Sequence, residues 1–418
     1  MIAVLNLLLA VGCSTGDVQC GKGTHLEGDT CVADDGDTGA DADADTDTDT
    51  DTDTDTEQRV IGWFVEWGVY DRDYHVADIP AHALTHINYA FIDVTADGEC
   101  QPYDAWAALE KDGGNYAQLM ELREAYPDLR VMMSLGGWTL SSNFSDVALT
   151  EASRASFVSS CVDLMLTYDF DGIDVDWEYP VEGGLTTGRP EDTENFTLLM
   201  AQFRDQLDAL DGGHLLTIAA PSGDDKIAHV QPVELAEQVD WLNIMTYDFY
   251  GGWDATTGFN SPLYPTSDSP HANNASYNVD AAVQAYLEAG VPGDKIVIGI
   301  PLYGRACDVA GETDDGLYQL ASGPSSLGTW EPGVFDFADL IANYLDKDDW
   351  TRGWHDEAMV PWLYSPSQRV FISYDDEESV GHKLDYIVEE RLGGAMLWEL
   401  DADTVGHDLV WMVNDRLR

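Results

Sequence analysis

Residues 171–180 alternate acidic and apolar side chains. Asp174, Asp176 and Glu178 occupy one parity, and an isoleucine, a valine and a tryptophan occupy the other. Side chains of one parity share a face of a strand, so the three carboxyls would lie together with neighbouring Cα atoms about 6.5 Å apart. Unless they hold a cation, acids this close cannot all stay ionised in a partly dry site, and one keeps its proton near neutral pH. That group is a candidate general acid, and its neighbours are candidates for stabilising positive charge.

Position along the predicted strand suggests a role for each acid. Glu178 is nearest the open end and can protonate a leaving oxygen; Asp176, one pleat deeper, can hold a partner's proton; Asp174, deeper still, tunes Asp176. Asp171 is out of phase with them and is expected to brace the strand. A solvated acidic run or a divalent-metal site made of the same carboxylates are the alternatives, but the interleaved apolar residues favour a buried strand.

The overall charge limits the partners. The chain of 418 residues has a formal net charge of −59, from 78 acidic and 19 basic residues. Nucleic acid requires a basic surface and anionic lipid repels an acidic one, so neither is expected as a partner. A neutral or cationic polymer is compatible with this charge. Neither a metal nor another cofactor is expected.

The amino-terminal residues predict export. Residues 1–12 resemble a signal peptide, because residues 2–11 are almost wholly apolar and too few to span a bilayer as a helix. Gly12-Cys13 resembles a bacterial lipoprotein cleavage site, although no Lys or Arg precedes the apolar run and Ala10 stands where Leu is usual. We therefore expect a secreted or cell-surface protein, with lipidated Cys13 as a candidate anchor at a bacterial outer membrane.

Two segments separate this signal from the remainder. Residues 13–33 form a short Cys-containing segment in which Cys20 and Cys31 suit a small disulfide, and residues 34–58 form an Asp/Thr-rich linker. Without large apolar residues to bury, the linker is predicted to be disordered and extended by its own charge. If Cys13 carries lipid, Cys100, Cys161 and Cys307 remain and at most one pair forms among them; the sequence does not choose which.

From residue 59 onward, apolar runs alternate with helical patterns, which is typical of parallel strands joined by crossover helices. Eight strands are predicted, at 60–67, 84–93, 129–136, 172–178, 215–220, 241–247, 295–301 and 393–400. Helices are predicted at 116–126, 151–168, 195–210 and 279–289. This order predicts an α/β fold, a (β/α)8 TIM barrel with its site at the carboxyl ends of the strands. Residues 306–373, with their own tryptophans, are predicted to be a small α+β insertion between strands seven and eight.

Seven ordered segments resemble glycoside hydrolase family 18, the chitinase family. The acidic stretch matches the Asp-x-x-Asp-x-Asp-x-Glu signature of that family. The other six lie on predicted strands, most at their ends: Trp63 to Trp67, Asn88-Tyr89-Ala90-Phe91, Ser134-Leu135-Gly136-Gly137-Trp138, Met245-Thr246-Tyr247-Asp248, Pro301-Leu302-Tyr303-Gly304-Arg305 and Gly393 to Glu399. The resemblance covers residue 59 to near the carboxyl end, and it is to the deep-grooved members that carry an α+β insertion.

The resemblance implies an exported chitinase, expected to act as a monomer on chitin or N-acetylglucosamine oligosaccharides with retention of configuration. It implies that the substrate's own acetamido oxygen attacks the anomeric carbon, with Asp176, Asp248 and Tyr247 orienting that group. Candidate substrate-binding residues are Trp398 as the floor under the sugar, Tyr303, Arg305, Met245, Phe91, Trp67 and Trp138. Alternatives on the same barrel are an endo-β-N-acetylglucosaminidase, a peptidoglycan hydrolase and a non-catalytic chitinase-like lectin. For the aromatic residues, the alternative interpretation is packing in the protein core. For Trp138, Trp253 and Trp67, core packing and lining of the substrate groove are equally supported.

Overall fold

The computed structural model describes residues 58–310 and 315–418, together with the backbone of two short strands, Thr24–Glu27 and Thr30–Ala33. These two strands pair antiparallel. The predicted signal peptide, the Cys13 anchor, the Cys20–Cys31 disulfide and the Asp/Thr linker lie outside the described residues. In the part of the chain that the structure describes, no helix has the length and apolar character needed to cross a membrane.

Eight parallel strands form a closed barrel, because the first strand pairs with both the second and the eighth. They are, in chain order, Arg59–Val65, His86–Val94, Arg130–Gly136, Gly172–Asp176, Leu215–Ala220, Trp241–Ile244, Ile296–Pro301 and Gly394–Trp398, here called barrel strands one to eight. The predicted fold class is confirmed. Strands one, four, six and eight end earlier than predicted. In strands four and six, the alternating pattern continues past the last paired residue into the rim.

Helices cover the outside of the barrel. The longer ones are Ala105–Leu109, Asn115–Ala125, Glu151–Thr167, Asp192–Asp208, Pro232–Gln238, Val279–Ala289, Glu377–Glu389 and Asp408–Leu417, and single turns occupy Gly137–Leu140, Phe144–Val147 and Asp224–Ile227. Thr150, Asn278 and Asp376 cap three of the longer helices by accepting backbone N–H bonds. The four helices predicted from the sequence are all present. Strand one is followed by 3-10 turns instead, Glu66–Val69, Val76–Asp78 and Ala81–Ala83.

Strand four separates its two parities between two environments. Ile173, Val175 and Trp177 are buried in the layer between strands and helices, where the Trp177 ring stacks on Phe144 at 5.4 Å between ring centroids. The acids of the other parity face the barrel interior, because Asp174 bonds to Asn243 of strand six, which is not a neighbour of strand four. The predicted sharing of one face by these acids therefore holds in the fold.

The insertion between strands seven and eight is mainly a six-stranded antiparallel sheet. Its strands are Tyr303–Val309, Ala321–Pro324, Val334–Asp336, Thr351–His355, Val360–Ser365 and Val370–Ser373. Its helical part is limited to Phe337–Asp339 and a π-turn at Leu340–Tyr344. The sheet begins at Tyr303 and not at residue 306, because the backbone enters its first strand directly after barrel strand seven. Tyr303 and Arg305 are thus residues of the insertion.

A disulfide joins Cys100 and Cys161. It connects the short strand Cys100–Pro102, which pairs with barrel strand two, to the helix Glu151–Thr167. Cys307 is buried and free. The fold thereby selects one of the pairings that the sequence left open.

Candidate active site

Asp174 is fully buried and held by three donors from three strands. Its Oδ2 accepts from Ser134 Oγ at 2.7 Å, and its Oδ1 accepts from Thr217 Oγ1 at 2.6 Å and Asn243 Nδ2 at 3.1 Å. Burial raises the pKa of Asp174, and the three hydrogen bonds oppose that rise. This carboxyl therefore has a fixed position below the other acids, as its depth along the strand predicts.

Asp176 is buried one pleat above Asp174, and its Oδ1 has no hydrogen-bond partner. Burial raises the pKa of Asp176 well above its usual value, and the nearby Glu178 and then Asp174 raise it further. A buried carboxyl oxygen without a donor is costly when charged. The free oxygen is therefore available to share a proton or to accept a hydrogen bond from a ligand.

Glu178 lies just beyond the end of strand four and is half-buried. Burial raises its pKa to about 7; a hydrogen bond with Tyr179 lowers it and the charge of Asp248 raises it. Its backbone N–H donates to Ser141 Oγ at 2.9 Å, and the same hydroxyl donates to the carbonyls of Gly137 and Asp176. Ser141 thus fixes the backbone that carries the acid at the rim.

Gly136 and Gly137, at the end of strand three, allow close packing beside the acids. A Cβ at Gly136, where φ is +96°, would lie 2.5 Å from the Asp176 carbonyl oxygen, and one at Gly137, where φ is +75°, would lie 2.6 Å from the Phe91 ring. Both contacts are shorter than real Cβ contacts, and both backbone conformations disfavour side chains. Gly136 thus lets strand three pass close to the acidic strand, and Gly137 lets the following turn pass close to Phe91.

Tyr247 and Asp248 follow strand six and face the acids. The pKa of Tyr247 is raised well above its usual value by burial and then by Asp176, Glu178, Asp248 and Asp174, so this phenol lies among all four carboxyls. Asp248 accepts from Tyr303 Oη at 2.6 Å and from Arg305 Nε and Nη2 at 2.8 and 2.5 Å. The insertion thereby supplies the two donors that hold Asp248.

Aromatic rings form a floor beside the acids. Trp398, at the end of strand eight, stacks on Phe91 with ring centroids 5.7 Å apart. The Trp67 ring centroid lies 6.3 Å from that of Phe91 and 6.4 Å from that of Trp398. Trp67, Tyr247 and Trp398 are partly buried and pack on the interior cluster that contains Met245 and Phe91. Met245 is 7% exposed, so it supports the floor from within the barrel.

Trp138 and Trp253 are not core residues. Trp138 is 47% exposed and Trp253 is 60% exposed. The guanidinium of Arg305 lies 5.3 Å from the Trp253 ring centroid, which places this ring next to the Asp248 cluster. Their exposure favours the groove-lining interpretation over packing.

A cavity of about 530 Å³ adjoins the floor and the insertion. It is lined by Trp67, Tyr70, Asp71, Arg72, Tyr303, Arg305, Trp330, Glu331, Val334, Asp336, Trp398 and Glu399. Arg72 forms ion pairs with Glu399 at 2.5 Å and Asp401 at 3.0 Å. Burial, and next the charge of Asp401, raises the pKa of Glu399 to about 8, with Arg72 opposing. The mouth therefore holds a second group of buried acids, Glu399 and Asp401, whose pKa values are raised by burial and lowered by Arg72.

Sequence reasoning did not assign roles to several of these residues. Thr217 and Asn243, the donors to Asp174, are single polar residues on the inward-facing side of otherwise apolar strands. This pattern could have indicated that they bond to a buried polar group. Arg72 and Glu399 are far apart in the chain and have no local pattern that indicates their pairing. Among the described residues, no three His, Cys, Asp or Glu side chains are arranged to hold a metal ion.

A (β/α)8 barrel with three acids at the end of strand four and stacked aromatic rings beside them is the arrangement expected of a glycoside hydrolase. Residues 59–403 match glycosyl hydrolases family 18, and the chain belongs to that family.

Individual relatives agree with this assignment. Chitinase A1 from Niallia circulans is 43% identical over 82% of this chain and 56% of its own length, so the chain spans about half of that relative. The structure of chitinase ChiA74 from Bacillus thuringiensis has a TM-score of 0.82 and 37% identity, covering 86% of this chain and 70% of its own. A family 18 N-acetylglucosaminidase from Paenibacillus barengoltzii has a TM-score of 0.74 and 33% identity, covering 86% and 99%.

Proposed function

We propose that the protein is an exported chitinase that hydrolyses β-1,4 linkages between N-acetylglucosamine units, with Glu178 as general acid and base. The observation that carries the proposal is the position of Glu178: a carboxyl with a pKa of about 7 at the barrel mouth, beside the buried Asp176. A group with this pKa can both give and take a proton near neutral pH. The chitinases among the relatives support this substrate class.

In the first step, Glu178 donates its proton to the glycosidic oxygen as the bond to the anomeric carbon breaks. The carbonyl oxygen of the substrate's acetamido group forms the new bond to that carbon, which gives an oxazolinium ion and releases the second sugar with a free hydroxyl group. The free Oδ1 of Asp176 accepts the acetamido N–H and its carboxylate balances the positive charge. Tyr247, among the acids, supplies a hydroxyl that orients the acetamido oxygen.

In the second step, the carboxylate of Glu178 takes a proton from a water molecule, and the water oxygen attacks the anomeric carbon. The oxazolinium ring opens, the acetamido group is restored and Glu178 is protonated again. Two displacements at one carbon give net retention. Asp174 contributes by keeping Asp176 in place, and Trp398 offers an apolar face under the sugar ring.

The pH dependence follows from the pKa of Glu178. Because burial raises this pKa to about 7, the acid form is present below that pH and is lost above it. We expect kcat/KM for chitin oligosaccharides to fall about tenfold per pH unit on the alkaline side of about pH 7. A pH–rate profile with a soluble oligosaccharide measures this limb. A rate that stays constant to pH 9 would exclude Glu178 as the essential acid.

Product analysis distinguishes the alternatives. We expect the protein to release short N-acetylglucosamine oligosaccharides from chitin and to leave N-glycoproteins and peptidoglycan intact. Release of glycans from a glycoprotein would instead favour an endo-β-N-acetylglucosaminidase. The N-acetylglucosaminidase among the structural neighbours makes single-sugar release from chain ends a further outcome to measure. Binding of chitin without any product would indicate a lectin.

We further propose that the enzyme acts as a monomer outside the cell or at its surface, with residues 34–57 as a tether between an export or lipid signal and the barrel. The Asp-Thr repeat supports a spacer because it contains nothing to bury. Deleting residues 34–57 should leave kcat/KM for soluble oligosaccharides unchanged within error. A large loss of this activity would show that the segment takes part in catalysis and is not a spacer.

A further inference from the structure

Asn260 connects the rim after strand six to the insertion, and it is fully buried. On one side, its Oδ1 accepts from the backbone N–H of Asp248 at 2.9 Å, and its carbonyl accepts from the backbone N–H of Phe249 at 3.1 Å. On the other side, its Nδ2 donates to the Tyr303 carbonyl at 3.3 Å and its N–H donates to Ser373 Oγ at 2.7 Å. All four backbone and side-chain polar groups of this residue are used.

These bonds reach both ends of the insertion. Tyr303 begins the first strand of its sheet and Ser373 ends the last one, and the two strands pair with each other. Asp248 has φ of 58°, in the left-handed region. Asp enters this region more readily than most residues, but external hydrogen bonds are needed to hold it in one conformation. Asn260 supplies the bond to this N–H.

The same two segments also meet through side chains. Tyr303 and Arg305 of the insertion donate three hydrogen bonds to the Asp248 carboxylate. Asn260 therefore fixes the backbone of Asp248 and the backbone of its partner Tyr303 with one amide group. Displacing either backbone would change the distance between this carboxylate and the other acids of the mouth.

We propose that Asn260 is a positioning residue for catalysis: it holds Asp248 against Tyr303 and Arg305, and through Asp248 it sets the electrostatic environment of Glu178. This inference rests on the proposed function. Asn260 does not itself reach the reacting atoms, since its side-chain bonds go to two backbone groups.

The charges that face Glu178 determine what the test must separate. Tyr179, Asp176, Tyr247 and Asp248 interact with Glu178 directly. Asp174 acts on Asp176, and Tyr303 and Arg305 of the insertion act on Asp248. Of these, Asp248 raises the pKa of Glu178 by its charge, and Asn260 contacts its backbone directly. A loosened Asp248 should thus lower that pKa, whereas simple loss of folded protein should not.

The experiment compares Asn260→Ala with Asn278→Ala. Asn278 is equally buried, and it caps the helix Val279–Ala289 by accepting from Ala281 N at 2.8 Å. We expect both variants to lower the Tm. Only Asn260→Ala should reduce kcat, by ~10- to 100-fold as for a slightly misplaced catalytic group, with a smaller change in KM and with the alkaline limb of the pH profile moved to lower pH.

A double variant makes the test specific. Asp248→Asn should move the alkaline limb in the same direction, and adding Asn260→Ala to it should produce no further movement, because both changes act through one carboxylate. If Asn260→Ala does not fold, Asn260→Ser keeps the backbone bonds but is too short for both side-chain bonds, and the same shift is expected. The proposal would be overturned if the alkaline limb of the pH–rate profile stayed at the wild-type pH in Asn260→Ala or Asn260→Ser. It would also be overturned if that limb shifted equally in Asn278→Ala.

Hydrogen exchange gives a readout that does not depend on turnover. The backbone N–H groups of Asp248 and Phe249 should be protected in the wild-type chain, and the Asp248 N–H should lose protection in Asn260→Ala but keep it in Asn278→Ala. Unchanged protection of Asp248 would refute the positioning role even if the wild-type chain proved inactive on chitin. Inactive wild-type protein with the expected exchange pattern would refute the proposed function alone.

Discussion

Replacing Glu178 by Gln is expected to lower kcat on chitin oligosaccharides by ~10²–10⁴-fold, the usual contribution of a general acid. The amide keeps the shape and the backbone bond to Ser141, but it has no acidic proton to give to the leaving oxygen. Binding should persist, because the aromatic floor of Trp398, Phe91 and Trp67 is unchanged. Steady-state kinetics and oligosaccharide binding by calorimetry measure the two effects separately.

Glu182→Gln is the matched control for this variant. Glu182 is an exposed acid four positions further along the chain, and its partner is His229 at 3.5 Å. The control should retain nearly full activity, so that the loss in Glu178→Gln is not attributed to a general reduction in negative charge. Near-normal turnover in Glu178→Gln would remove Glu178 from the mechanism, and loss of binding in parallel with turnover would indicate a folding defect.

Removal of the acetyl groups from the substrate is expected to have the second large effect. A fully deacetylated oligosaccharide lacks the carbonyl oxygen that forms the bond to the anomeric carbon, so its hydrolysis should be slower by more than ~10³-fold. The basis is that a well-placed intramolecular nucleophile has an effective concentration of about 10⁵–10⁸ M. Initial rates on acetylated and deacetylated oligosaccharides of equal length measure this difference.

Competition by the deacetylated oligosaccharide provides the control for binding. An ammonium group is not repelled by a site that contains Asp176, Glu178 and Asp248, so failure to bind is not expected to explain a lost rate. In partly acetylated chains, every cleaved bond should have an acetylated sugar on the side that keeps the anomeric carbon. Efficient cleavage between two glucosamine units would require another nucleophile, either a protein side chain or an activated water molecule, and would contradict the mechanism.

Both predictions depend on the same arrangement of acids. Asp174 is held by three donors, Asp176 has a free oxygen, and Glu178 reaches the rim with a pKa of about 7. The number of hydrogen bonds that hold each carboxyl thus falls along the strand from Asp174 to Asp176. Because their surroundings differ, neighbouring carboxyls can have different protonation states. Glu399 directly follows Trp398 in the chain. It is paired with Arg72, and both residues line the cavity beside the aromatic floor.

The barrel could be predicted because its signals are local. Apolar runs at regular spacing mark the eight strands, and the parity of residues 173–178 places the acids on one face and Trp177 on the other, since a strand has a fixed period of two. The limits of strands four and six could not be predicted as well. Where the ladder ends is decided by neighbouring strands, and the alternation of side chains continues beyond it.

Long-range pairings, in contrast, were decided only by the tertiary structure. The bond from Asn243 to Asp174 crosses the barrel interior, Cys100 pairs with Cys161 and not with Cys307, and Tyr303 and Arg305 of the insertion hold Asp248. None of these choices has a periodic signature in the chain. The sequence by itself predicted the candidate residues for the chemistry and the strand ends near which most of them lie. Closure of the barrel and docking of the insertion decided which polar groups meet, because distances between segments far apart in the chain are set only when the core packs.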